Sequence, residues 1–191
     1  MNHLIVYAHP RKVSFNHAIL ETTVRSLRQK GHETIVRDLY AMEFQPVISS
    51  SEILGGVGED IEQEQEYLKW ADVITFIYPI WWTGLPAIVK GFIERVFTYG
   101  FAYRYVNGAQ KGLLKGKKAI IINTLGKSHA QYAASGMDKA LIALILTSDK
   151  GIFEYCGMEV LHHVFFESVP SSDEATRTAW LKQIEEVAGK A

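Results

Sequence analysis

Apolar positions along the chain follow two alternating rhythms. Five short stretches are rich in β-branched and aromatic residues: 3–8 (HLIVYA), 32–38 (HETIVRD), 72–78 (DVITFIY), 118–124 (KAIIINT) and 159–168 (EVLHHVFFES). Near-continuous hydrophobic runs of this length predict strands buried on both faces, and the more polar alternation of 32–38 predicts an edge strand. Between these stretches the period lengthens. Ala18, Leu20, Val24 and Leu27 recur near helical spacing, and Gly31 behind Lys30 supplies a C-terminal stop. Residues 60–70, rich in glutamate and ending in Leu68 and Trp70, predict an exposed helix with one buried stripe. Pro86 fits the first turn of a helix through Val96. The last helix reads as 172–188, with Ser171 or Ser172 as N-cap and Glu174 close behind. Two stretches, 44–59 and 99–116, stay irregular. Gly55, Gly56 and Gly58 neither follow a strand nor complete G-x-G-x-x-G, so they read as loop.

Strands that alternate with helices form a parallel sheet covered on both faces, which makes the fold class α/β. The expectation is a three-layer sandwich with a five-stranded parallel sheet in the flavodoxin-like order 2-1-3-4-5, formed as a single domain over residues 1–191. Ligands of such sheets bind beyond the carboxyl ends of the strands. The loops after the first, third and fourth strands should therefore converge and carry the chemistry.

The residue types in those loops agree. After the first strand comes HPRKVSFN, residues 9–16, a strand-to-helix turn without glycine. Helix N-terminal amides, the Ser14 hydroxyl and a cation, if His9 is protonated, could hold a phosphate there. The plainer alternative makes Ser14 an N-cap and His9 a hydrogen-bonded turn histidine. After the third strand comes YPIWWTGLP, 78–86. Trp81 and Trp82 suit a flat apolar ligand, or else plug a core or subunit interface; alternation points them in opposite directions, so at least one should be structural. After the fourth strand comes NTLGKSHAQY, 123–132, where Gly126 permits close backbone approach and Lys127, His129 and Tyr132 are donors.

Composition narrows the classes. The chain is 48% hydrophobic and 21% charged with net charge −1, which argues against nucleic acid or an anionic membrane as partner. Apolar runs reach roughly ten residues, short of the ~20 a membrane helix needs. The lone Cys156 excludes an internal disulfide, and the strand that begins within four residues leaves no room for a signal peptide; the expectation is a cytoplasmic protein. Cys156 reads as a buried thiol, and Glu94 and Arg95 as surface or interface pairs. His162 and His163, being adjacent, point to opposite strand faces, so no metal site is expected.

The pieces AHPRKVSFN, YPIWWTGLPAIVKGFIERVF, GFAYRY and YCGMEVL closely resemble the NAD(P)H:quinone oxidoreductase family of flavodoxin-like flavoproteins, across nearly all of the chain. That family includes DT-diaphorase, bacterial general-stress quinone reductases and ancillary oxidoreductases of potassium-efflux systems. The resemblance implies a cytoplasmic homodimer with flavin at its interface and two-electron, ping-pong hydride transfer from NAD(P)H through flavin N5 to quinones or similar electrophiles. By position, His9, Ser14, Phe15 and Asn16 match the flavin-phosphate and ribityl loop. Pro79, Ile80, Trp81 and Trp82 match the loop along the isoalloxazine, and Thr124, Leu125, Gly126 and Lys127 the loop on its other side. Tyr103 and Tyr105 match tyrosines that a partner subunit contributes to the substrate pocket. Tyr132 matches a catalytic tyrosine, but the position of its histidine companion reads Asp138, which cannot donate to an anion unless protonated. The chain looks more like the shorter members that bind FMN than the longer ones that bind FAD. Two other readings stay open: a regulatory ancillary subunit with a membrane-transporter partner, and a one-electron carrier. The weak net charge disfavours the carrier.

Overall fold

The computed structural model describes residues 1–189. Its elements in chain order are β1 (Asn2–Tyr7), α1 (Phe15–Gln29), β2 (Glu33–Asp38), α2 (Ser50–Ile53), α3 (Glu59–Trp70), β3 (Val73–Pro79), α4 (Ala87–Val96), β4 (Tyr103–Val106), β5 (Ala109–Gly112), β6 (Lys118–Thr124), α5 (His129–Ala134), α6 (Asp138–Ile145), a π-helical segment (Leu146–Glu154), β7 (Glu159–Phe166), a 3-10 turn (Val169–Ser171) and α7 (Glu174–Gly189). The five strands read from the sequence are β1, β2, β3, β6 and β7, and they form one sheet in the order β2-β1-β3-β6-β7. Every neighbouring pair in it is parallel. The expected order and direction are what the molecule has.

Alternation splits the core. Leu4, Val6, Ile74, Phe76, Ala119 and Ile121 face one layer, where α3 contributes Ile61 and Leu68 and α4 contributes Val89, Phe92 and Val96. Ile5, Tyr7, Ile77, Ile120 and Ile122 face the other, where α1 contributes Ile19, Leu20 and Leu27 and α7 contributes Ile184 and Ala188. Because β1, β3 and β6 are covered on both sides, their sequences carry no polar face. Edge strand β2 stays half-buried, as its polar alternation implied.

Four expectations need correction. The stretch 99–116 is not irregular: it holds the antiparallel hairpin β4–β5, with Asn107 and Gly108 at positive φ in its tight turn. Short polar strands that pair only with each other leave little hydrophobic signal. Within 44–59, Ser49 and Glu52 form a capping box on α2. The loop closes on α4 through Arg95, which is no surface residue: its side chain is 8% exposed and binds Glu52 at 2.7 Å and Asp60 at 2.9 Å. The N-cap of α7 is Asp173, whose Oδ1 accepts from the Thr176 amide at 2.8 Å. Ser171 and Ser172 are spent on the preceding turn, donating to Ser168 and Val169 carbonyls.

Candidate active site at the strand carboxyl ends

The three loops do converge. A cleft of about 410 Å³ opens beyond β1, β3 and β6, lined by His9 and Ser14–Asn16 from the first loop, Pro79–Trp81 from the second and Thr124–Gly126 from the third. Ser14 caps α1, accepting from the His17 amide at 3.2 Å. The first-turn amides of Phe15 and Asn16 then have no helical acceptor and offer an anion site. Ser14 thus does what the plainer reading said and still lines the cleft.

His9 does not supply the cation. Its Nδ1 lies 3.1 Å from both the Arg11 amide and the Arg11 carbonyl, and burial lowers its pKa below the usual imidazole range. Positive charge comes instead from Arg11 and Arg177, which line the same cleft with Val13, Val169 and Pro170. Arg177 is fixed by donating to Ser172 Oγ at 2.9 Å and to the Val169 carbonyl at 3.1 Å. Sequence reasoning missed Arg177, because only the packing of α7 beside α1 brings it there.

Asn16 carries the most informative geometry. It is 4% exposed, and its Nδ2 donates to Thr124 Oγ1 at 2.8 Å, tying the first and third loops together. Its Oδ1 is buried without a protein partner. A buried acceptor left open costs roughly 1–3 kcal/mol unless something donates to it. Asn16 also lines the cleft. Gly126 adds room: a Cβ there would meet nothing within 4 Å and would occupy cleft space.

The tryptophans depart from expectation. Neither fills the core. Trp81 is 40% exposed and stands 6.2 Å from the His9 ring, centroid to centroid, as a cleft wall. Trp82 is fully exposed and outside the cleft. The reason is a reverse turn in which Trp82 and Thr83 both have positive φ, 50° and 59°, closed by reciprocal Trp81–Gly84 backbone bonds. That turn normally takes Asn-Gly, so a tryptophan and a β-branched threonine here hold a strained conformation.

Other expected residues stand apart. Lys127 follows Gly126 but is exposed and does not line the cleft, and Tyr132 sits half-buried on α5 against the core. Phe15 lines the cleft but also anchors α1, lying edge-on to Phe166 at 5.7 Å and tilted against Trp180 at 5.5 Å. Tyr103 and Tyr105 are on β4, away from the cleft, where the Tyr105 and Tyr155 hydroxyls meet at 3.1 Å. Asp138 opens α6, where an acidic residue suits the helix dipole. Cys156 is buried, and burial pushes its thiol up to about 11. No metal-binding group of His, Cys, Asp and Glu occurs among the described residues. No helix among them is long and apolar enough to cross a membrane.

Comparison with known proteins gives a consistent picture. A family model described as a flavodoxin-like fold matches residues 1–188. An uncharacterized NAD(P)H oxidoreductase of Haemophilus influenzae is 39% identical over 95% of this chain and 91% of its own length. The NAD(P)H dehydrogenase (quinone) 1 of Cavia porcellus is 34% identical over 96% of this chain and 76% of its own. A crystal structure of a quinone reductase from Klebsiella pneumoniae, so described on a provisional basis, superposes with a TM-score of 0.88 at 30% identity, covering 97% of this chain and 83% of that one.

Proposed function

This chain belongs to the flavodoxin-like family, in its NAD(P)H:quinone oxidoreductase group, and on that premise we propose that it is a flavin-dependent NAD(P)H dehydrogenase that reduces quinones or similar electrophiles. The observation that carries the flavin is the buried, open Asn16 Oδ1 beside the first-turn amides of α1. A polyol chain ending in phosphate presents the two kinds of group these residues lack, hydroxyl donors and an anion.

A bound flavin would supply the redox chemistry, two-electron ping-pong hydride transfer through N5 between NAD(P)H and the acceptor. The chain's residues bind and orient. Asn16 and Ser14 would hold the ribityl and phosphate end, with Arg11 and Arg177 neutralising its charge. Ile80, Trp81 and Leu125 offer apolar surface to the flat ring and keep water from it. Backbone amides of the Pro79–Trp82 and Thr124–Lys127 loops would meet its polar rim; the matched Tyr132 of α5 does not line the cleft and would have to reach that rim to donate to it. We take FMN over FAD, because the cations and helix amides gather along the α1–α7 side as a place for one terminal phosphate.

The acting unit in this reading is a homodimer. Support comes from the aromatic and aliphatic side chains left in water away from the cleft, among them Tyr99 at 63% and Leu146 at 56% exposure, and from Tyr103 and Tyr105, which have no role in their own cleft. A second copy would cover them and receive the tyrosines in its substrate pocket. The test is an anaerobic titration of the flavin-loaded protein: NADPH should bleach the flavin bands at one equivalent per chain, and benzoquinone should restore them. Tyr132→Phe should slow the bleaching in stopped flow. Flavin that NADPH and NADH leave oxidised overturns the reading.

A further inference from the structure

Behind the cleft floor lies a buried polar chain with no part in the steps above. His163 of β7 is held at both ring nitrogens, Nδ1 by Asp149 Oδ1 at 2.8 Å and Nε2 by Asn123 Oδ1 at 2.8 Å. Its ring stacks on Phe165, centroids 4.2 Å apart. Asp149 Oδ1 also accepts from the Ser148 hydroxyl at 2.8 Å, and Asn123 Nδ2 donates to the Tyr78 carbonyl at 3.1 Å. The His163 and Asp149 side chains are 6% and 13% exposed, and Asn123 is fully buried. Asp149 and Ser148 are successive residues, both turned inward by the π-helical winding of Leu146–Glu154. Such winding is rare and gathers at functional sites.

Hydrogen-bond polarity follows by elimination. The Tyr78 carbonyl only accepts, so the Asn123 group facing it is the NH2, and the group facing His163 is the amide oxygen. That oxygen only accepts, so His163 Nε2 carries a hydrogen. At Nδ1 the partner is a carboxyl oxygen at hydrogen-bond distance, so a second hydrogen lies between them, on nitrogen or on oxygen. Together the two residues hold one proton more than a neutral imidazole beside a carboxylate. On His163 alone burial outweighs the Asp149 charge and hydrogen bond and lowers its pKa, so the geometry places that proton with the pair and not with the imidazole alone. The remaining titratable neighbour, the Tyr78 hydroxyl, is buried without a partner and stays protonated, its pKa raised by burial and by Asp149.

We propose that Asp149 and His163 form a proton-retaining clamp, and that His163 is a positioning residue of the flavin site. The connection runs through register. Asn123 pairs with Tyr78, and the next pair is Pro79 with Thr124, both in the cleft wall. Thr124 in turn accepts from Asn16, whose oxygen is left for the ligand. An Asn123 amide locked at both ends fixes the second and third loops relative to each other and, through Thr124, to the first. With Nε2 bare, the amide would lose its acceptor role and the lock would open. The positioning half of this inference rests on the flavin reading; the proton half does not.

Two measurements on the full chain test it. In nitrogen-15 NMR of the flavin-free protein, His163 Nε2 should stay protonated and Nδ1 should show a hydrogen-bonded proton shared with Asp149 from about pH 8 to about pH 5, without the titration of an ordinary histidine. A bare Nε2, or no proton between Nδ1 and Asp149, in that range overturns the clamp. In flavin titrations, His163→Phe should weaken affinity about tenfold, and His163→Gln, whose amide can donate to Asn123 Oδ1, should recover to within about twofold. Wild-type affinity in the Phe variant, or no recovery in the Gln variant, overturns the positioning role. A wild-type chain that binds no flavin overturns the functional reading instead, and the nitrogen spectrum still judges the proton.

Discussion

His3 and Asn16 both bury polar atoms without partners, at opposite ends of the same sheet. His3 sits at the amino end of β1 with both ring nitrogens unpartnered, fully buried beside a cavity of about 10 Å³ walled by Leu27, Ile120, Ile122 and Ile184. Asn16 sits past the carboxyl end of β1 and lines a cleft of about 410 Å³, its Oδ1 likewise buried without a partner. Both are shielded from solvent, but the first lies at a void with room for at most one water, and the second belongs to a residue that lines a cleft large enough for a ligand. An unsatisfied group thus marks a cost at one end and a binding function at the other. What separates them is access and the company of other donors.

The comparison breaks most sharply with acid. Burial lowers the His3 pKa from 6.5 to about 4. The unfolded chain therefore takes up a proton below about pH 6.5 that the folded chain refuses until about pH 4, so stability falls as pH drops through that window. By linkage the loss approaches about 3 kcal/mol at its lower edge. Urea unfolding at pH 7 and at about pH 4.5 should show this slope in the wild type and a flatter one in His3→Val. Equal slopes would mean that His3 is not the sealed, neutral group described.

At the carboxyl end the effects should appear in binding. Arg177→Ala should weaken FMN binding by about a hundredfold, the scale of one charged hydrogen bond, and Arg177→Lys should recover part of it. Isothermal titration checks both; an unchanged constant in the alanine variant would remove Arg177 from the phosphate end. The strained turn offers a smaller and opposite effect. Trp82→Asn combined with Thr83→Gly should raise stability by about 2 kcal/mol, because Asn-Gly accepts both positive φ values without strain. Thermal unfolding would show it as a higher Tm. Smallest of all, Glu94→Gln breaks only an exposed pair with Lys90 and should shift stability by under about 0.5 kcal/mol.

The sheet was legible because β1, β3 and β6 are buried on both faces and so read as unbroken hydrophobic runs. The loops that meet at the cleft were legible for a related reason. In a parallel sheet the carboxyl ends of neighbouring strands lie side by side, so His9, Ser14, Trp81 and Thr124 had to meet. Arg177 was not legible, since its place depends on how α7 packs on α1. Neither was the exposure of Trp82, which follows from two positive φ values that no residue type there announces. The hairpin at Tyr103–Gly112 escaped because its short strands bury little, and Arg95 read as part of a surface or interface pair because its buried partners arrive from segments far away in sequence.

One measurement bears on the central claim most directly: titration of the flavin-free protein with FMN, followed by flavin fluorescence, for the wild type and Asn16→Ala side by side. Saturation at one FMN per chain, with affinity about tenfold weaker in the variant, is the predicted result, since one buried acceptor is lost. No saturable binding by the wild type, or equal affinity in both proteins, would contradict the assignment of the strand carboxyl ends as a flavin site.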